Sequence, residues 1–454
     1  MTTIGRLAIA RAVVFGALQF VRPSIPTEPP PAELQTPPEV RRIVDESCYP
    51  CHSDQGRLWW FDQIVPGYWL VRRDILAARR HLNFSTLGAS PDSGRKAALY
   101  ECVNMIRLGA MPLPRFLMLH PDAKVTSQEI ATLEAYLAPW TPVPGQSSPA
   151  VPAASPEPLP PASLTNVPPA PNGLPFDPAF EAWKPVSTTD RGDNNTLRFI
   201  LGNDIAVRAA ESGKITPWPD GSRFAKIAWQ QESGPDGLVH PGRFVQVELM
   251  VKDAQRYQAT EGWGWGRWRG LDLKPYGKDP HFAEECTGCH APLAGNDYIY
   301  TLPITPAKVG GAEVVNNAAA LPAGLPYRPL GWNAVTMYVD PVAHTMATLY
   351  GNDAAMAFVQ ASRAAMAGGP AVQSYPAGAV LALVTWWQRG DPHWFGARIP
   401  AAPRSVEFVE ISAGGRGGNY RRFGGPELAE EHPAAGDQAE RTAFLVHLAP
   451  ARLP

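Results

Sequence analysis

Cysteine is scarce in this 454-residue chain, with five in all, too few for a disulfide-stapled fold of this length. Neither sign of charge is in excess. The formal net charge of -2 argues against nucleic acid as a partner, which would call for a basic surface. Long apolar runs are also wanting. Residues 4–21 come nearest, but Arg11 interrupts them and they fall short of the roughly 20 residues that a bilayer span requires. Proline is the opposite case, at 50 residues, much of it gathered in residues 141–175. A chain of this length has room for two to four domains.

Four of the five cysteines fall in two short stretches, Cys48-Tyr49-Pro50-Cys51-His52 and Cys286-Thr287-Gly288-Cys289-His290. Two thiols three apart with an imidazole directly after them is the spacing of covalent c-type haem attachment. Each thiol adds to one vinyl group, and the histidine turns under the iron as proximal ligand. Zinc is the rival reading, and it wants further Cys or His ligands at matching spacing, which each stretch finds only in the other. Two covalently attached c-type haems are therefore expected, with His52 and His290 on the irons. Thioether attachment takes place on the oxidising side of a membrane, so a periplasmic location is expected. Arg6 ahead of an apolar run supplies export, either as an uncleaved anchor in the inner membrane or as a cleaved signal.

Along the chain, Val40, Ile43 and Val44 predict a helix leading into the first motif, residues 96–108 a second and residues 126–137 a third. Met111-Pro112 follows the second helix, where a methionine can serve as the sixth, thioether ligand, with His120 as its rival. Cys102 reads as a small buried hydrophobe. Residues 12–138 resemble a small bacterial haem-binding domain carrying, in order, Ser47 to Ser53, Trp69-Leu70-Val71-Arg72-Arg73-Asp74, Leu82-Asn83-Phe84-Ser85 and Met111 to Ala123. The resemblance implies an all-helical domain with a six-coordinate haem suited to electron transfer. The proline-rich residues 141–175 read as a semi-rigid spacer.

From Phe176 the pattern turns to strands at residues 196–201, 223–229, 244–251 and 262–268, with a short helix over 203–212. Lys226 is a lone cation in an apolar strand. It is either a lysine that snorkels at the edge or one placed to act on a cofactor. Glu248 interrupts another apolar strand, and alternation alone leaves its facing open. Residues 176–305 resemble the cytochrome P460 family, which includes the beta-type cytochromes c-prime. The resemblance is carried by Trp218-Pro219-Asp220-Gly221-Ser222 running to Lys226, Val251 to Tyr257, Gly262-Trp263-Gly264, Cys286 to His290 and Asn296 to Thr301. It implies a haem with His290 proximal and an open distal face for a small nitrogenous or gaseous ligand. It further implies Lys226 at the haem edge, Glu248 as a pocket base with its pKa raised by burial, and Arg198 as a further pocket candidate.

The tail repeats this region without its motif. Gly202-Asn203-Asp204 recurs as Gly351-Asn352-Asp353, residues 218–229 as 375–386 with Leu383 in the place of Lys226, and residues 245–249 as 407–411. The expected organisation is α+β: a signal segment (1–22), an all-α haem-binding domain (23–140), a linker (141–175), a P460-like antiparallel-sheet domain (176–305) and a degenerate P460-like domain lacking the haem motif (306–454). The expected role is that of a cytochrome oxidising or detoxifying hydroxylamine or NO and handing electrons to a periplasmic redox partner. A gas sensor and a plain electron carrier are the alternatives.

Overall fold

The computed structural model describes residues 3–29, 32–56, 58–138, 160–161, 163–277, 279–310, 314–366, 374–412 and 418–454. It divides into two units, Met1–Trp140 and Thr141–Pro454.

The first unit is helical: α1 (Thr3–Leu18), α2 (Pro38–Ser47), α3 (Tyr49–His52), α4 (Gly67–His81), α5 (Phe84–Leu87), α6 (Asp92–Arg107), α7 (Pro114–Leu117) and α8 (Ser127–Leu137). A proline at its first position starts α2, where the missing N–H costs nothing, and Val40, Ile43 and Val44 form its buried stripe. Helix α6 begins at Asp92, earlier than the expected residue 96, because Pro91 in extended conformation sets the turn just before it. A reciprocal capping box between Thr126 and Glu129 opens α8 and satisfies two backbone donors. Nothing on α1 is buried. The segment after it lies along α4: Gln19 exchanges two hydrogen bonds with the Val65 backbone, Trp69 Nε1 donates to Val21 O at 2.8 Å, and Tyr68 and Arg79 donate to the carbonyls of Pro23 and Pro26.

The second unit is an antiparallel barrel. Its first half comprises β1 (Lys184–Arg191), β2 (Thr196–Gly202), α9 (Asp204–Ser212), β3 (Arg223–Ser233), β4 (Val239–Lys252), β5 (Trp263–Arg269), β6 (Lys274–Pro275) and α10 (Phe282–His290). The same order returns in β7 (Asn333–Asp340), β8 (Thr345–Gly351), α11 (Asp353–Met366), β9 (Val380–Asp391), β10 (Trp394–Ile411), β11 (Gly418–Gly424), β12 (Ala429–Glu431) and α12 (Ala435–His447). The halves share one sheet. Strand β4 pairs β7 through Val239–Val339, and β10 pairs β1 through Arg398–Asp190 and Ala397–Arg191, so the ring closes. Closure removes the free edges that two separate sheets would each expose.

Strand alternation explains the two faces of the first half. Leu197, Phe199, Leu201, Ala225, Ile227, Val247 and Leu249 are buried in one apolar core with Trp229, Trp263 and Trp268. At roughly 25 cal/mol per Å² of apolar surface removed from water, the aromatic side chains dominate this core. Strand β1 was not anticipated, because Lys184-Pro185 and Asp190-Arg191 disguise its alternation.

Two expectations are corrected. The linker does not extend to residue 175: Ala170 and Leu174 are buried in the barrel core, and Pro168 O accepts from Trp268 Nε1 at 2.8 Å. Prolines and alanines there cover a sheet face, since they carry apolar surface and few N–H groups to satisfy. Residues 141–159 lie outside the described residues. The repeat also has a different register on β10. Ile200, Lys226, Glu248 and Arg267 stand opposite one another across β2 to β5, and the matching row across β8 to β11 is Leu349, Leu383, Glu407 and Arg422. Glu407 therefore corresponds to Glu248 and not to Val245. The β-bulges on β10 displace the count.

Candidate haem sites

The second motif closes α10, and the residues after it hold His290. Asp297 and Tyr298 both adopt positive φ, 46° and 67°, uncommon for residues with a side chain. The strain is held in place by buried partners. Asp297 Oδ1 accepts from Lys252 Nζ at 2.7 Å, its Oδ2 from Trp218 N at 2.8 Å, and its carbonyl from Trp263 Nε1 at 3.0 Å. This turn aims the Tyr298 carbonyl at His290, whose Nδ1–H donates to it at 2.6 Å. A proton fixed on Nδ1 leaves the Nε2 lone pair for a metal, the arrangement usual for a ligating imidazole. Burial brings the pKa of His290 down to about 4, so the ring is neutral at physiological pH. Trp265 lies 4.6 Å from the imidazole centroid, and Tyr300 meets it edge-on at 4.9 Å.

The Lys226 row lies on the sheet face opposite the apolar core. Lys226 and Glu248 form an ion pair with their side chains 29% and 28% exposed, so the pair is reachable from outside. Lys226 and Glu248 are cross-strand partners, so alternation puts both on one face of the sheet. Gln246 Nε2 donates to Glu248 at 2.5 Å and Tyr276 OH at 3.2 Å. Two residues along β2, Arg198 is buried on the same face, with Nε donating to Thr196 Oγ1 at 3.0 Å. Burial, aided by Arg191, lowers the Arg198 guanidinium to about 9. The raised carboxyl expected for Glu248 is not found. Desolvation pushes it up, but Lys226 and Arg198 outweigh that, and its pKa lies below the ordinary value. Desolvation lowers the Lys226 ammonium despite Glu248. The pocket is a compensated charge cluster with a cation that gives up its proton more readily than a free lysine.

The residues fit a haem. Cys286 and Cys289 are free thiols, and burial pushes Cys286 up to about 11, which keeps it a thiol and not a reactive thiolate. The indole N–H of Trp265 is buried beside the His290 imidazole with no acceptor among the described residues. An orphaned donor of this kind suits a polar group brought by a bound cofactor. Among the described residues no group of three or more His, Cys, Asp or Glu is placed to hold a metal ion.

The first motif shows the same logic. His52 Nδ1–H donates to Leu82 O at 3.0 Å, and burial lowers the ring's pKa. Cys48 and Cys51 are free and raised by burial to about 12 and about 11. Cys102 is likewise raised by desolvation. The two candidates for the sixth ligand sit in different surroundings. His120 is buried, bonds Asp62 through Nε2 at 3.1 Å, and is enclosed by Phe116, Trp59 and Phe61 at 4.0, 4.2 and 5.0 Å. Met111 stands just beyond Gly109, whose φ of 70° turns the chain out of α6, and its backbone N–H donates to Met105 O at 3.1 Å.

In the second half the corresponding place is filled by protein. Leu383 replaces the lysine, and Arg441 of α12 forks onto Glu407 at 2.8 and 2.9 Å while Tyr420 OH donates at 2.7 Å. Leu445 of α12 is buried in the local core.

Sequence reasoning found Lys226, Glu248 and the two motifs but missed Gln246, Tyr276 and Trp265, which carry no signal beyond alternation. Residues 178–301 match the family described as Cytochrome P460, and residues 13–139 match the family described as Haem-binding domain. A search of curated proteins finds no match. The chain joins a haem-binding domain to a cytochrome P460 domain.

Proposed function

We propose that the chain carries two covalently attached c-type haems and that the P460 site oxidises or detoxifies a small nitrogen compound, hydroxylamine or NO, with the N-terminal haem taking the electrons. The observation that carries this reading is a neutral imidazole, His290, with its Nδ1–H fixed on Tyr298 O, close enough to the partly exposed Lys226–Glu248 pair to feel the charge of both. The haem supplies ligand binding and redox chemistry. The protein does the rest. Glu248, ionised beside Lys226 and Arg198, is the proton acceptor for an N–H or O–H of the bound substrate. Tyr276 and Gln246 hold its carboxylate in place, and Lys226 counters the charge. Desolvation makes Lys226 give up its proton more readily than a free lysine. A bond from its neutral amine to a haem-edge carbon would replace that carbon's C–H bond, releasing two protons and passing two electrons to an added peroxide-class oxidant, with Glu248 then left without its partner cation. Met111 and His52 complete the electron-transfer centre.

Thioether attachment takes place on the oxidising side of a membrane, which supports a periplasmic location. The 16-residue α1 is the export segment, and among the described residues no helix is long and apolar enough to cross a membrane. The Gln19–Val65 bonds and the Trp69 bond to Val21 O favour a segment that is retained, since cleavage near residue 22 would remove them and leave only the bonds that α4 donates to residues 23–26.

Haem-peptide mass spectrometry on the full-length holoprotein tests the reading. Haem on both Cys peptides, a third attachment at Lys226, and hydroxylamine-dependent reduction of an acceptor support the enzyme. Haem on both peptides with reversible NO or CO binding and no attachment at Lys226 points to a gas-binding protein. Refusal of every added ligand reduces the function to electron carriage.

A further inference from the structure

The haem motif lies wholly in the first half of the barrel, yet the residues that fix its surroundings do not. The chain after α10 is grasped from both sides. Tyr298 O takes the Nδ1–H of His290 at 2.6 Å, and two residues on, Tyr300 O takes the Nδ1–H of His393 at 2.6 Å. His393 belongs to the second half, at the tip between β9 and β10, where its own N–H is anchored to Asp391 Oδ1 at 2.8 Å. The neighbouring Trp394 meets Tyr300 edge-on at 5.4 Å. Tyr300 in turn stands edge-on to His290 and donates its hydroxyl to Cys289 O at 2.7 Å. One tyrosine thus touches the imidazole, the backbone of a haem-attachment cysteine and two residues of the other half.

The same tip reaches the pocket. Trp394 Nε1 donates to Asp193 Oδ2 at 3.2 Å, and the Arg191 guanidinium lies 4.3 Å over the Trp394 ring while pairing with Asp193 at 2.5 Å. Arg191 and Asp193 both act on the charge of Arg198, the buried cation on the pocket face.

We propose that the half of the barrel without a haem motif is a positioning element of the haem site, with His393 and Trp394 holding Tyr300 and, through it, the orientation of His290. This explains why a half that has lost its lysine and its cysteines keeps an intact hairpin against its neighbour. It rests on the reading of His290 as the proximal ligand. His393 touches neither the substrate nor the iron, so it is a positioning residue. The hairpin acts on Tyr300 through the His393 hydrogen bond and the Trp394 aromatic edge, two separate contacts.

The test uses the full-length holoprotein. His393→Phe keeps the ring and removes the donor, His393→Asn returns a side-chain N–H, and Trp394→Leu removes the aromatic edge. The readouts are the iron–histidine stretching band of the ferrous P460 haem by resonance Raman and its affinity for CO. The expected result is a shifted, broadened band and a CO affinity changed by about fivefold in H393F, the scale of one lost hydrogen bond, with recovery in H393N. The N-terminal haem signals stay as in the wild type. If H393F fails to accumulate, W394L reads the same contact. Variants that melt earlier but keep the wild-type band and affinity would overturn the proposal and leave the proposed function standing. Absence of haem from the Cys286–Cys289 peptide sinks both.

Discussion

Replacing Asp297 by alanine removes the carboxylate that supports the turn under His290. The Asp297 and Lys252 side chains are 9% and 6% exposed, so the ion pair is effectively dry. Taking away one partner strands a buried ammonium, which typically costs about 3–5 kcal/mol. The ring of Trp263, 4.8 Å from Lys252 Nζ, offsets only part of this. Alanine also tolerates a φ of 46° less well than aspartate, adding about 1 kcal/mol. The sum is about 4–6 kcal/mol, equivalent to a fall in Tm of about 6–9 °C for a unit of this size. Urea and thermal unfolding of the full chain, followed by tryptophan fluorescence and haem absorption, measure it. A charge-free pair, Asp297→Asn with Lys252→Met, keeps an acceptor for Trp218 N and a residue suited to the turn, and should return to within about 1–2 kcal/mol of wild type. A loss below about 1 kcal/mol in D297A, or a double variant as weak as the single, would refute the claim that this pair holds the strained turn.

Four further outcomes follow from the same geometry. Haem-free protein should lose stability as pH falls from 6.5 toward 4, because His290 and His52 are held below their ordinary pKa and the unfolded chain takes up protons first. That loss should be smaller in holoprotein, where iron occupies Nε2, as pH-dependent melting of the two forms will show. Arg441→Met strands the buried Glu407 and should cost about 3 kcal/mol by urea titration, with Glu407→Leu in the same chain recovering most of it. Met111→Ala should abolish the thioether-to-iron charge-transfer absorption of the N-terminal haem, whereas His120→Phe should leave it in place while lowering Tm. N-terminal sequencing of the exported protein should find residues 19–26 still attached.

The two motifs were legible from sequence because their cysteines, spacing and histidine lie on one short local stretch. The helices of the first unit were similarly open to reading, since period and capping residues such as Thr126 and Glu129 are local signals. Lys226 could be named but not judged, because its meaning depends on Glu248, which lies 22 positions away in the chain and directly across in the sheet. The sign of the shift at Glu248 was missed for the same reason: burial is visible as an apolar neighbourhood, whereas Lys226 and Arg198 reach it only once β2, β3 and β4 align. The closed ring, the packing of residues 168–174 on the barrel and the grip of His393 on Tyr300 were decided by tertiary structure alone. They join residues about a hundred positions apart through single hydrogen bonds and aromatic edges, and such contacts leave no periodicity for a sequence to display.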